Sequence, residues 1–350
     1  MHETPHDFNF LATGIGSVPF LDIEATCQQI VEFLPRCPFW PQFVRRSPLE
    51  DMSIQFSGGL PLIEIEQNAR SLAISRDQER EHALADFYAK FLSTDIEYFK
   101  ITSDFAPGLY SLLEYLNGMR ESTTGPFIKG QSVGPVTFAA GILGLDGKPI
   151  LHDPELSEAM ANGLAIKALW QVRTLSQTGM RPILFFDEPY LSGFGSAFSP
   201  LGRSEVIDLL RIPMDYLRKH SDVIIGVHCC GNTDWSMILE AGPDVVNFDA
   251  FEFMDHFLLY PDEVKRFVEN GGSIAWGIVP TASFRGDETG DRLSGILKRG
   301  IESLEKWGVS RGLVSQRSIL TPACGMGTMD PNSAEAAIEL LSSLASYFSS

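Results

Sequence analysis

The chain has 350 residues, 44% of them hydrophobic, and a formal charge of −18 at pH 7. Such a length holds either two average domains or one large α/β barrel. The charge argues against nucleic acid and anionic membrane surfaces as partners, because both select clustered positive charge and no run of Lys or Arg occurs here.

The chain opens Met1-His2-Glu3-Thr4-Pro5-His6-Asp7, without the basic and apolar regions of a signal peptide. The longest apolar stretch, 136–145, contains two glycines and is too short to span a bilayer. A soluble cytoplasmic protein is expected. Short apolar runs at 12–15, 127–130, 183–186, 223–227, 245–248, 273–276 and 318–320 read as strands, with 98–102 as an eighth and 53–56 as its rival. Helix starts are read at Asp153-Pro154, Ser204-Glu205, Tyr260-Pro261 and Asp330-Pro331. Gly134-Pro135 reads as a tight turn, and 192–202 (SGFGSAFSPLG) as a loop. No linker composition divides the chain. The alternation predicts a single (β/α)8 TIM barrel over residues 1–350. A doubly wound sheet is the alternative, but the Gly-rich phosphate loop expected after its first strand is missing.

Five cysteines, at 27, 37, 229, 230 and 324, are odd in number and scattered. A disulfide framework is unexpected in such a chain, and Cys27 and Cys37 read as small core residues.

In a barrel, functional groups gather at the C-terminal ends of the strands. His228 and Cys230 stand two apart at one such end, so they share a face while Cys229 points away. His nitrogen and Cys sulfur are zinc ligands, and a tetrahedral ion takes two more. Asp249 closes the next strand and Cys324 the last, within TPACGMG, whose glycines permit a close approach. The prediction is a metal site of His228, Cys230, Asp249 and Cys324; the alternative is buried cysteines beside a satisfied histidine. Asp187, ending 183–186, either holds a cationic group in the barrel mouth or caps a turn. Ile15-Gly16-Ser17 either presents backbone N–H groups to a carboxylate or is an ordinary turn. Paired catalytic carboxylates, a serine elbow and a P-loop are absent.

Taken together, TGIGSVP, GQSVGPVTF, LFFDEPYLSG, HCCGNTDW, DVVNFDAF and TPACGMG occur in the order and spacing of the C-terminal catalytic half of cobalamin-independent methionine synthase. HCCGNT is also similar to the corrinoid:coenzyme M methyltransferases and uroporphyrinogen decarboxylase. The resemblance runs from about residue 10 to the end. It implies a (β/α)8 barrel and Zn2+ on His228, Cys230, Asp249 and Cys324, with Asp249 replacing the usual glutamate. It further implies homocysteine held by Ile15, Gly16, Ser17 and Asp187. The family's second substrate glutamate has no clear match; Glu64 and Glu66 are guesses.

The folate positions of the family depart together. GPVTFAAGIL lacks the tryptophan that packs on the pterin, Gly193 stands where a glutamate is usual, and WGIVPTASF has no histidine. The family's N-terminal half, which helps cover the folate, has no counterpart. A tertiary amine leaves poorly without a proton, whereas reduced cobalt leaves unassisted. The resemblance therefore implies methyl transfer to homocysteine, with methylcobalamin or a corrinoid protein as donor. Rival expectations are transfer to coenzyme M or another small thiol, a decarboxylase, and a non-catalytic zinc or corrinoid binder.

Overall fold

In the computed structural model, residues 7–66, 71–119, 125–195 and 201–349 are described. The first third holds β1 (Leu11–Ala12), α1 (Ile23–Phe33), the hairpin strands β2 (Ile63–Glu66) and β3 (Ser71–Ile74), α2 (Arg80–Leu92) and α3 (Pro107–Gly118). Regular alternation follows: β4 (Phe127–Val133), α4 (Pro135–Ala140), α5 (Pro154–Ser176), β5 (Arg181–Asp187), α6 (Arg203–His220), β6 (Ile224–Cys229) and α7 (Trp235–Ala241). The last part comprises β7 (Val245–Asp249), α8 (Ala250–Phe257), α9 (Pro261–Glu269), β8 (Ser273–Val279), α10 (Gly290–Lys306), α11 (Arg311–Gln316), β9 (Ser318–Pro322) and α12 (Pro331–Ser349).

Seven strands form one parallel sheet in the order β1-β9-β8-β7-β6-β5-β4. Residues 36–42 close it between β4 and the end of β1. On one edge the Phe127 and Lys129 N–H groups donate to the Arg36 and Pro38 carbonyls, and the Trp40 N–H donates to the Lys129 carbonyl at 3.0 Å. On the other edge the Gln42 N–H donates to the Gly16 carbonyl at 3.0 Å and the Val18 N–H to the Gln42 carbonyl at 2.9 Å. Eight staves thus complete the predicted (β/α)8 barrel. The eighth is neither segment expected from the sequence: 98–102 is turn and Ile54–Phe56 a 3₁₀ turn. Pro38 and Pro41 deprive the true stave of two N–H donors and, with Pro35 just before it, mask its strand character.

Each stave sends one residue into a sealed inner layer: Leu11, Cys37, Phe127, Ile183, Ile224, Val245, Ala275 and Ile319, with Phe8 and Phe185 beside them. Full burial of such a side chain favours folding by about 1.5–3 kcal/mol. The layer plugs the barrel, so a ligand can enter only from the opposite, C-terminal mouth. Cys27 and Cys37 are fully buried, as expected.

Local chemistry explains most boundaries. The Asp153 carboxylate caps α5 ahead of Pro154. Helix α6 is capped at Gly202, two residues before the expected Ser204, with the Glu205 carboxylate accepting the Gly202 N–H at 2.7 Å. Gly134-Pro135 begins α4 with Pro at its first position, rather than only making a turn. Residues 1–6 and the loop portion 196–200 lie outside the described residues. No described helix is long and apolar enough to cross a membrane.

The eighth stave depends on a tight contact with α3. A Cβ on Gly108 would sit 2.1 Å from the Pro41 carbonyl oxygen and 2.8 Å from the Phe43 ring. Gly108→Ala should therefore cost about 1–3 kcal/mol of stability through overpacking. A denaturant midpoint equal to wild type would contradict this placement of residues 36–42.

Candidate active site

Alternation along β5, β6 and β7 turns Asp187, His228 and Asp249 toward the barrel axis, on the same faces as Ile183, Ile224 and Val245 of the sealed layer. Cys229 faces the other way, fully buried in the shell between strands and helices. Its thiol donates to the Gly231 carbonyl at 3.6 Å. The ligand atoms of His228, Cys230 and Cys324 lie within 4.8 Å of one another. His228 is 2% exposed, whereas both sulfurs sit in partly open residues at the mouth.

The electrostatics of this cluster call for a cation. A hydrogen bond from Cys324 pulls the Cys230 thiol down to about 4 against its burial, and His228 assists. The same hydrogen bond and burial push the Cys324 thiol up. Burial pushes Asp187 and Asp249 up to about 6, and the Cys230 charge raises both further. Neither ring nitrogen of buried His228 makes a well-formed hydrogen bond, and Asp187 Oδ1 has no partner. Buried polar atoms left in this state are costly unless a ligand meets them. A divalent cation on nitrogen and thiolate sulfur would relieve both the unmet ring and the mutual repulsion.

Asp249 stands beside this cluster rather than within it. Its Oδ1 accepts the Glu252 N–H at 2.9 Å as the cap of α8, and its charge interacts with Cys230. To ligate a metal it would use its other oxygen.

The Ile15-Gly16-Ser17 turn meets the Cys324 loop directly. The Met326 N–H donates to the Ser17 carbonyl at 2.9 Å and the Gly327 N–H to the Ser17 hydroxyl at 3.3 Å. A Cβ on Gly325 would stand 2.2 Å from the Ser17 hydroxyl oxygen, which is the close approach its sequence suggested. Arg45 holds the same loop by donating to the carbonyls of Gly327, Thr328 and Met329. The Ser17 side chain is thus structural. By contrast, the backbone N–H groups of Gly16 and Ser17 enter no hydrogen bond with the described residues. Two free amides at the mouth are what an anionic carboxylate requires.

Glu188, next to Asp187, has a different task. It is fully buried and accepts from the Val136 N–H (3.0 Å), the Thr137 N–H (2.7 Å) and the Thr137 hydroxyl (2.6 Å), which fixes the start of α4. Glu64 and Glu66 belong to the separate β2–β3 hairpin, where they accept from Ser75 and Ser71. Nothing in their contacts brings them to the mouth.

One interior residue escapes sequence reading. Lys129 is fully buried, and its ammonium donates to the Ile15 carbonyl and to Gln131 Oε1 at 3.3 Å. The signal was available: Phe127, Lys129, Gln131 and Val133 share one face of β4, so a charge was bound to point inward.

No family profile and no curated protein matches this sequence. Among the solved structures similar to this chain are two methionine synthases, one of which shares its architecture. A protein from Listeria monocytogenes, provisionally named a vitamin-B12-independent methionine synthase, is 17% identical over 97% of each chain, with a TM-score of 0.58. A B12-independent methionine synthase from Shewanella sp. W3-18-1, in complex with selenomethionine, is 18% identical over 67% of this chain and 65% of that one, with a TM-score of 0.47. At such identity the likeness is one of fold, and the Listeria match extends it over nearly the whole chain.

Proposed function

We propose that this protein is a zinc-dependent S-methyltransferase that converts homocysteine to methionine, with a methylated corrinoid as donor. The observation carrying this reading is the convergence of His228, Cys230 and Cys324 beside Asp187 and the free amides of Gly16 and Ser17. Its fold, shared with a structure named for vitamin-B12-independent methionine synthesis, supports the methyl transfer to homocysteine, whereas the corrinoid donor rests on the residues of this chain alone.

The residues divide the work. His228, Cys230 and Cys324, with Asp249 at hand, would hold Zn2+, which lowers the pKa of the substrate thiol and keeps its sulfur nucleophilic. Asp187 receives the substrate ammonium, and the Gly16 and Ser17 amides receive its carboxylate. Held at both ends, the substrate places its sulfur at the mouth of the barrel, where the donor must arrive. In the reaction the thiol proton would pass to solvent, the thiolate sulfur would form the S–CH3 bond, and the methyl–cobalt bond would break with its electron pair left on the reduced cobalt.

The donor follows from what the chain lacks. A methyl on the tertiary amine of a folate needs a proton for its leaving nitrogen. No histidine occurs in 276–284, and among the described residues nothing lies within 4 Å of a side chain built at Gly193. Phe138, after GPVT, is fully buried in the core and offers no surface to a pterin. A methyl on cobalt leaves without that proton. Purified, zinc-replete protein should turn over homocysteine with methylcobalamin and far more slowly with methyltetrahydrofolate or its polyglutamate. Efficient turnover with the folate and none with methylcobalamin would refute the donor assignment.

A further inference from the structure

The interior of a (β/α)8 barrel is normally filled by branched aliphatic residues, yet this one places an ammonium there. Lys129 is fully buried, with its Nζ 4.7 Å from the centroid of the Phe185 ring. Burial pushes its pKa down to about 8, opposed by Asp187 and Cys37. Burying an ammonium is costly, and a methionine would fill the same space without that cost. What the ammonium adds is its attraction to Asp187 and its hydrogen bonds to Gln131 Oε1 and to the Ile15 carbonyl, of which the last reaches the turn at the mouth.

That carbonyl and the Gly16 N–H belong to one planar trans peptide, so fixing the oxygen on one side fixes the N–H toward the other. The next peptide is fixed in the same way, through the Gln42 N–H on the Gly16 carbonyl, which aims the Ser17 N–H. The two amides left free are therefore the two whose peptide oxygens are held from behind. We propose that Lys129 is a positioning residue for the substrate carboxylate: by holding the Ile15 carbonyl it keeps the Gly16 N–H aimed into the pocket. This rests on the reading of the pocket as an amino-acid site.

The test compares binding of homocysteine and of 3-aminopropanethiol, which keeps the thiol and amine but lacks the carboxylate. Calorimetry on zinc-loaded wild type, Lys129→Met and Lys129→Arg gives both affinities, with zinc content measured alongside. Lys129→Met should lose about tenfold in homocysteine affinity, the worth of one hydrogen bond to a charged group. It should bind 3-aminopropanethiol as wild type does and keep its zinc, while Lys129→Arg, which retains a charged donor, should recover part of the preference. Equal weakening toward both thiols would mark Lys129 as merely structural and overturn the proposal. A wild type without preference for homocysteine would overturn the reading of the pocket. A preference intact in Lys129→Met would overturn the role of Lys129 alone. If Lys129→Met shows no cooperative melt, Lys129→Gln is read by the same ratio; failure of both to fold would also overturn the proposal.

Discussion

Replacing Cys230 or Cys324 by serine should cost the protein the proposed zinc, whereas replacing Cys229 should leave the metal in place. All three residues sit at strand ends and two are adjacent, so only their directions separate them. Cys230 and Cys324 point to His228 within 4.8 Å, while Cys229 is buried in the opposite layer and bonded to the Gly231 carbonyl. Loss of a group that merely orients a ligand costs about 10–100-fold in metal affinity, and loss of the ligand itself should cost at least as much. Serine keeps the shape but not the thiolate, so folding should survive and the metal should not. Metal analysis after dialysis gives the answer. Zinc retained by both ligand variants, or lost from Cys229→Ser alone, would place the metal elsewhere.

Asp187→Asn should abolish useful binding of homocysteine without disturbing zinc. The carboxylate is 8% exposed and one of its oxygens has no partner; Lys129 and His228 favour its charge without bonding to that oxygen, which leaves it to the proposed substrate ammonium. Truncating one member of a buried charge pair costs about 2–5 kcal/mol, roughly 30-fold to several thousandfold in affinity. Asparagine preserves size and keeps one acceptor, so the loss reports the charge itself. The reference is a simple thiol without an amino group, whose binding should be untouched. Equal losses for both thiols would mean that Asp187 supports the metal cluster, and an unchanged homocysteine affinity would remove it from the pocket.

Much of this site was legible because strands have a period of two. With 223–227 as a buried strand, the shared face of His228 and Cys230 follows, and so does the opposite direction of Cys229, whereas Asp187 could from sequence equally cap a turn. Glycines 325 and 327 announced the close approach that the Ser17 hydroxyl makes. The parts that escaped are those where local chemistry and tertiary role disagree. Residues 36–42 form a barrel stave with three prolines nearby, and their ladder shows only through the N–H groups that remain. Residues 98–102 carry an apolar run that packs as turn, with Phe99 and Ile101 buried outside the strand layer. Asp249 ends a strand as expected, but the same position also begins α8, so its carboxylate serves as a helix cap. Lys129 escapes the sequence pattern because a charge within an apolar run reads as an interruption rather than as an inward-pointing group.

The central claim is that the cluster at the barrel mouth activates a substrate thiol. X-ray absorption at the zinc edge, with and without homocysteine, tests it most directly. Two sulfur neighbours are expected in the zinc-loaded protein alone, from Cys230 and Cys324, and three once homocysteine is added. A sulfur count that stays at two under saturating homocysteine, or a protein that binds no zinc, would contradict it.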